Sequence, residues 1–354
     1  MTAHLRGMTW DHPRAYLALE AFDATGAAPG VVWDRQSLAD FEAHPIDELA
    51  QRYDFLVIDH PGLGAAVGAG ALAAFEDVLD AAELERWTHG AVGASGASYR
   101  LGGRTWALPI DAAAQVSVRR PGVPAVARWE DVPAVAEEHP VTLCLAGPHA
   151  GLMLLAMCSE QRPTDSELLL DPAVAADAVD LLRDVFRKST GDLLDPIGVH
   201  ELLAAGDGPT WCPLAYGYVS YADRLGWSDA PSWRGDRPLS VLGGTGLALA
   251  ARSAGDPDAR AWVRAFLADG VQTDLVPSAG GQPATRAVWE SDRPFYADTL
   301  ATLQAAWVRP RMAGWIALQD HLSEVVREAV VEDHDATAAI DDVNRRHAAL
   351  LRDA

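Results

Sequence analysis

The chain has 354 residues, with 28 Lys and Arg against 50 Asp and Glu and a formal charge of −22; a single lysine, Lys188, stands among the cations. This balance argues against a basic phosphate-gripping face and so against nucleic acid as a partner, and it leaves almost no room for Schiff-base lysine chemistry. With 49% hydrophobic and 22% charged residues, the composition is that of a globular protein, and at roughly 100–200 residues per domain the length predicts two domains.

Three cysteines, Cys144, Cys158 and Cys212, are widely spaced and form no CxxC pair, which predicts neither a disulfide framework nor a zinc ribbon. Residues 1–7 lack the apolar stretch of a signal peptide, and no run approaches the ~18–20 apolar residues of a membrane helix. As the chain is written, the expectation is a cytoplasmic protein that does not insert into a membrane.

In chain order, the first sixty residues read as βαβ units. Leu5 to Trp10 is a short strand that ends in Asp11-His12-Pro13. Proline suits the first turn of a helix, and Tyr16, Leu17, Leu19 and Phe22 follow at helical spacing until Gly26. Val31-Val32-Trp33 is a second strand, and a helical stretch over Asp47 to Arg52 leads to a third, Phe55 to Ile58. That strand also ends in Asp-His-Pro, at Asp59-His60-Pro61. Short apolar strands alternating with helices predict a parallel sheet covered on both faces. Ligands of such sheets sit beyond the carboxyl ends of the strands, where both Asp-His-Pro copies fall.

Further helices are expected near Ala69 to Leu79 and over 80–98. Residues 98–108 read as a hairpin turning at Gly102-Gly103. A strand over Gln115 to Val118 follows, and after a proline-rich stretch the βα pattern restarts with a strand over Val141 to Leu145. Helices follow over His149 to Cys158 and Pro172 to Lys188. Trp211 to Tyr218 is an aromatic strand and loop, and Leu239 to Leu249 an apolar strand broken by glycines. From Pro257 onward the chain is helical, with helices near 257–268, 294–307, 315–330 and 336–352.

From residue 98 onward the order of features resembles the family 1 extracellular solute-binding proteins, the sugar-binding subunits of ABC importers. The likeness is carried by Tyr99 to Asp111 (YRLGGRTWALPID), by Leu242-Gly243-Gly244-Thr245-Gly246-Leu247-Ala248-Leu249, by Asp256 to Trp262 and by Gly280-Gly281-Gln282-Pro283-Ala284. The opening Thr9-Trp10-Asp11-His12-Pro13-Arg14 resembles a subgroup that often lacks secretion signals. The resemblance implies an α/β, two-domain periplasmic-binding-protein-like fold of type II, with a ligand cleft between the domains. Residues 1–110 with about 245–295 form one domain in this reading, and 111–244 with about 296–354 the other. It also implies a small-molecule ligand, an ABC permease as partner, a monomer, and a periplasmic or extracellular place if the start is incomplete.

The ligand-contacting residues expected at the cleft are Trp10, Asp11, His12, Arg14, Trp33, Asp59, His60, Tyr216 and Tyr218. Histidine and aspartate supply polar contacts, arginine can fork onto a carboxylate or phosphate, and an indole face suits the C–H face of a sugar. The bland alternative is that each His-Pro caps a helix while aspartate accepts backbone N–H groups. Arg14 and Arg35 can equally form surface ion pairs. The spacing calls for no metal and no cofactor: Gly62-Leu63-Gly64 lacks the third glycine of a dinucleotide fingerprint, and Arg187-Lys188-Ser189-Thr190 lacks the glycines of a P-loop.

The leading expectation is a solute-binding protein that captures a small polar ligand, a carbohydrate or related molecule, by hinge closure for an ABC-type importer. The alternative is a cytoplasmic enzyme of lyase or isomerase type on the same scaffold, using His12, His60, Asp11 and Asp59 as acid and base. A third reading is a cytoplasmic sensor whose closure signals to a partner protein.

Overall fold

The computed structural model describes residues 5–163 and 167–353. The strands that build its two sheets are β1 (Leu5–Trp10), β2 (Val31–Gln36), β3 (Phe55–Ile58), β4 (Leu108–Pro109), β5 (Ala113–Arg119), β6 (Trp211–Tyr216), β7 (Gly226–Ser228), β8 (Leu242–Gly243) and β9 (Gly246–Leu249). The first sheet has the order β2-β1-β3-β9-β4. Its first three strands are parallel, as the βαβ pattern predicts, but β9 returns antiparallel against both β3 and β4. The second sheet is built on β5, which pairs with β6, β7 and β8, all antiparallel. The parallel pairing expected from the first βαβ units is thus confined to β1, β2 and β3. The second sheet gathers strands from across the sequence around one long strand and has no βαβ crossover to set them parallel.

The helices that matter here are α1 (Pro13–Ala24), α2 (His149–Met157), α3 (Pro172–Phe186), α4 (Pro196–Ala205), α5 (Pro257–Phe266), α6 (Pro294–Ala305), α7 (Trp315–Val331) and α8 (Thr337–Asp353). Three of them start with the same device. Asp171, Asp195 and Asp256 each stand before a first-turn proline and accept backbone N–H groups, from Ala173 at 2.9 Å, Gly198 at 2.7 Å and Asp258 at 2.8 Å. Part of the acidic excess thus caps helices, where a carboxylate also meets the positive end of the helix dipole. Helix α2 is buried on every side, and α7 packs against it and against α3 and α8.

Some expected elements differ. The helix expected near 69–79 instead spans Leu63–Gly68, because Gly70 turns left-handed at φ 64°. Leu72 then bridges to Ala250, and only one 3₁₀ turn, Phe75–Asp77, follows. The helical stretch over 80–98 is split into Ala81–Gly90 and Ser95–Ser98 by a turn at Gly93, φ 55°. Val141 to Leu145 is buried but makes only isolated bridges, from Val141 to Ser189 and Trp211 and from Cys144 to Leu194. Two of those partners lie outside any strand, so no ladder propagates. The Gly102-Gly103 hairpin is present, with both glycines left-handed, as a tight two-residue turn requires.

The chain passes from the first sheet to the second at residues 110–112 and returns at 244–245, the two segments bonded to each other through Asp111 and Thr245; a third crossing, at 280–283, leads to the helices that follow. Gln282 ties the third crossing to the first and to the end of β6. Its side-chain amide donates to the carbonyls of Ala112 (2.7 Å) and Gly217 (3.2 Å) and accepts from the Val219 N–H (2.8 Å).

Candidate functional site

Strands β1 and β3 pair in parallel with Gly7 beside Phe55 and Met8 beside Leu56. The same register sets Trp10 beside Ile58 and Asp11 beside Asp59, so both Asp-His-Pro copies leave the sheet at one edge. Their local structures differ by one residue of helix start. In the first copy His12 is the N-cap of α1, and its ring Nδ1 accepts from the Arg14 N–H at 3.2 Å. In the second copy Asp59 is the N-cap of a 3₁₀ turn and accepts from the His60 N–H at 2.8 Å.

Two adjoining cavities open at this edge. The larger, about 210 Å³, is lined by Gln36, Phe41 and Asp59 on one side and by Arg309, Trp315 and Gln319 on the other. The smaller, about 60 Å³, takes Trp10, Arg14 and Asp59 from the first-sheet side and His149, Tyr216 and Tyr218 from the second. Phe41, Asp59 and Arg309 line both. The site is therefore a cleft whose walls come from the carboxyl ends of the parallel strands and from the second sheet and its helices.

Two ion pairs span the cleft region. The buried Arg309 donates from Nη2 to Asp59 Oδ2 at 2.6 Å and from Nη1 to Gln319 Oε1 at 3.1 Å. Arg14, also buried, forks onto Asp111, with Nε to Oδ2 at 2.8 Å and Nη2 to Oδ1. A bidentate fork of this kind is the strongest form of the pair. The Arg14 guanidinium also lies 4.6 Å from the centre of the Tyr218 ring. Aromatic packing completes the floor: Trp10 stacks on His12 at 5.0 Å, and Tyr218 meets both rings edge-on.

The electrostatics follow from burial. Burial drives the His12 pKa down to about 4, helped by Arg14 and opposed by Asp11. Burial, with Arg309 adding to it, brings His149 to about 3. His60 is also lowered by burial, against the pull of Asp59. Neutral imidazoles result at pH 7, far from the working range of a general acid or base. Burial pushes Asp59 up, but Arg309 and the His60 ring outweigh it and hold the carboxylate below its ordinary value. Burial pulls Arg14 down, and Asp111 more than restores it.

Of the residues expected at the cleft, Trp10, Arg14, Asp59, Tyr216 and Tyr218 line the cavities. His12 sits beneath them as cap and stacking partner. Asp11 points to solvent, with Arg35 at 3.6 Å. His60 is fully buried against Tyr99 and lines neither cavity. Trp33 lines neither cavity: its indole N–H donates to Asp23 at 2.9 Å, and its ring packs on Phe55 and Trp262. It lies over Gly7, its register partner on β1, where any Cβ would overlap the ring. Arg35 stacks on Tyr16 and pairs with Glu20, a surface arrangement. His12 and His60 thus occupy separate surroundings.

Sequence reasoning misses Phe41, His149, Arg309 and Gln319. Only His149 had a local signal, its place at the first turn of a helix after Gly147-Pro148. Arg309 and Gln319 arrive from 250 and more residues beyond Asp59. Among the described residues no group of three or more His, Cys, Asp or Glu could hold a metal ion, and no helix is long and apolar enough to cross a membrane.

No protein-family model matches the sequence, and no curated protein matches it. Solved structures do match the fold over nearly the whole chain. An ABC transporter solute-binding protein from Agrobacterium radiobacter K84, in complex with ribitol, is similar at a TM-score of 0.78 with 17% identity, covering 98% of each chain. Maltose-bound MalE3 of T. maritima is similar at 0.80 with 16% identity, over 98% of this chain and 99% of its own. The GacH receptor of Streptomyces glaucescens, solved without ligand and with acarbose, is similar at 0.82 with 15% identity, over 99% and 98%. The chain therefore has the two-domain periplasmic-binding-protein fold that the sequence resemblance implies.

Proposed function

We propose that the protein is a solute-binding protein that captures a small, neutral, polyhydroxylated ligand in the cleft and hands it to an ABC-type permease. In this reading residues 1–110 with about 245–295 and residues 111–244 with about 296–354 are the two closing units, and the protein acts as a monomer. The observation that carries the reading is the composition of the cleft. Aromatic faces (Trp10, Phe41, Tyr216, Tyr218) from both sides meet there. Its two buried arginines each already face a carboxylate, Arg14 with Asp111 and Arg309 with Asp59. No buried positive charge is left over for an anionic ligand, whereas indole and phenol faces suit the C–H faces of a sugar and the paired ions offer hydrogen bonds to hydroxyls. Structures of the same fold carrying ribitol, maltose and acarbose support the same ligand class.

Contacts from both units exist only when the cleft is closed, so ligand shifts the hinge equilibrium by its differential affinity. The test combines native mass spectrometry of gently purified protein with calorimetry and small-angle scattering against polyols, disaccharides and longer oligosaccharides. One-to-one binding with a smaller radius of gyration is expected. An unchanged radius and no heat across that library would sink the reading.

A further inference from the structure

A third cavity, about 150 Å³, lies away from the cleft, between the helix Ala81–Gly90 and residues 269–285. It touches neither the aromatic wall nor the ion pairs described above. Three of its lining residues carry a buried side-chain polar atom with no hydrogen-bond partner among the described residues: Trp87 Nε1, Gln272 Oε1 and Thr285 Oγ1. Gln272 is wholly buried, and its amide nitrogen is already committed to the Phe266 carbonyl at 2.7 Å, which fixes the oxygen as the group left over. Three orphaned polar atoms around one cavity are unusual, because buried polar groups are nearly always paired and each left alone is costly.

We propose that this cavity is a second small-molecule site, one that takes a short, neutral, hydroxyl-bearing compound such as a three- to five-carbon polyol. The orphaned atoms set the chemistry. An indole N–H only donates, so the ligand presents an acceptor; an amide oxygen only accepts, so the ligand presents a donor; the threonine hydroxyl serves either. A hydroxyl group meets both demands. Neutrality follows from the rim, where the exposed Arg86 and Asp269 carry opposite charges, and from the absence of an ionised side chain among the buried lining. Buried Pro109, Ala91 and Ala284 give an apolar floor for the carbon skeleton. The volume exceeds that of a single-water site several-fold and is roughly that of a cavity able to hold benzene. The site abuts two of the three crossings, since Pro109 directly precedes residue 110 and Ala284 directly follows residue 283.

The site is separate from the cleft, and one titration reads both. In protein labelled at tryptophan indole nitrogens, the Trp87 N–H resonance reports the third cavity and the Trp10 N–H resonance reports the cleft, each assigned from its Trp→Phe variant. Glycerol, erythritol and xylitol are the probes. A saturable shift of the Trp87 resonance is expected, with Thr285→Val weakening that curve by roughly five- to tenfold, the worth of one hydrogen bond. Thr285 contributes no other side-chain bond, so this variant keeps its fold; Gln272→Leu gives a second reading. The Trp10 resonance is expected to keep its own response in Thr285→Val. A Trp87 resonance that stays still, or shifts linearly without saturating, overturns the proposal and assigns the cavity to ordered water. So does an equal midpoint in Thr285→Val and the parent protein.

Discussion

The two Asp-His-Pro copies occupy the same position on the same sheet edge, and the structure uses them in opposite ways. In the first, the histidine caps a long helix and the aspartate turns to solvent. In the second, the aspartate caps a short 3₁₀ turn and meets Arg309 across the cleft, while the histidine is sealed inside. Which side chain enters the site is decided by where the next helix begins: at Pro13 in the first copy and at His60 in the second. Identical residues in identical strand register therefore give different chemistry when the helix start slips by one position.

Acid offers the largest way to probe this comparison. His12, His149 and His200 are held to about 4, 3 and 3, and His60 is lowered too, all mainly by burial. Below about 6.5 the unfolded chain takes up protons that the folded protein refuses until its own lower pKa values are reached. Unfolding is then coupled to proton uptake, and stability falls as pH drops from about 6.5 towards 4, by about 1.4 kcal/mol per pH unit for each imidazole. Urea denaturation at a series of pH values measures the slope. His12→Phe and His60→Phe are each expected to remove about one proton from it, and a His60→Phe slope equal to the parent's would break the parallel between the two histidines.

Asp59→Ala comes next. It strands the buried Arg309, at an expected cost of about 3–5 kcal/mol in the urea midpoint, and it weakens binding at the cleft. His12→Ala removes an N-cap acceptor and is expected to cost about 1–2 kcal/mol. Asp11→Ala, at a solvent-facing carboxylate, is expected to stay within about 0.5 kcal/mol. Equal losses for Asp11→Ala and Asp59→Ala by thermal or urea denaturation would erase the distinction between the copies.

The features that local pattern could reveal are the ones that local physics determines. β1 and β3 were legible from apolar runs ending at Asp-His-Pro, and the helices starting at Pro172 and Pro257 were legible too, whereas the helix starting at Pro196 carries the same Asp-Pro start and was not expected. The cleft partners Arg309 and Gln319 were not legible. Arg309 precedes the expected helix near 315–330 and Gln319 lies on it, but nothing local shows that α7 packs against the strand ends of the first sheet, where their roles arise. Trp33 misled for a related reason. Its place at a strand end suits either face of the sheet, and only the register that sets it over Gly7 shows which face it takes. His60 misled because residue order alone does not reveal which member of an Asp-His pair begins the helix.

Gln282 has a mechanical consequence. Crossings that shared no bond would act as independent pivots, each free to twist by its own amount. One amide that grips Ala112, Gly217 and Val219 binds the crossing at 280–283 to the one at 110–112, which Asp111 and Thr245 bind in turn to the one at 244–245, so the three form a single joint. In the hinge-closing reading proposed above, rotation of one unit against the other would be steered about that joint, bringing the aromatic and ionic walls together in register.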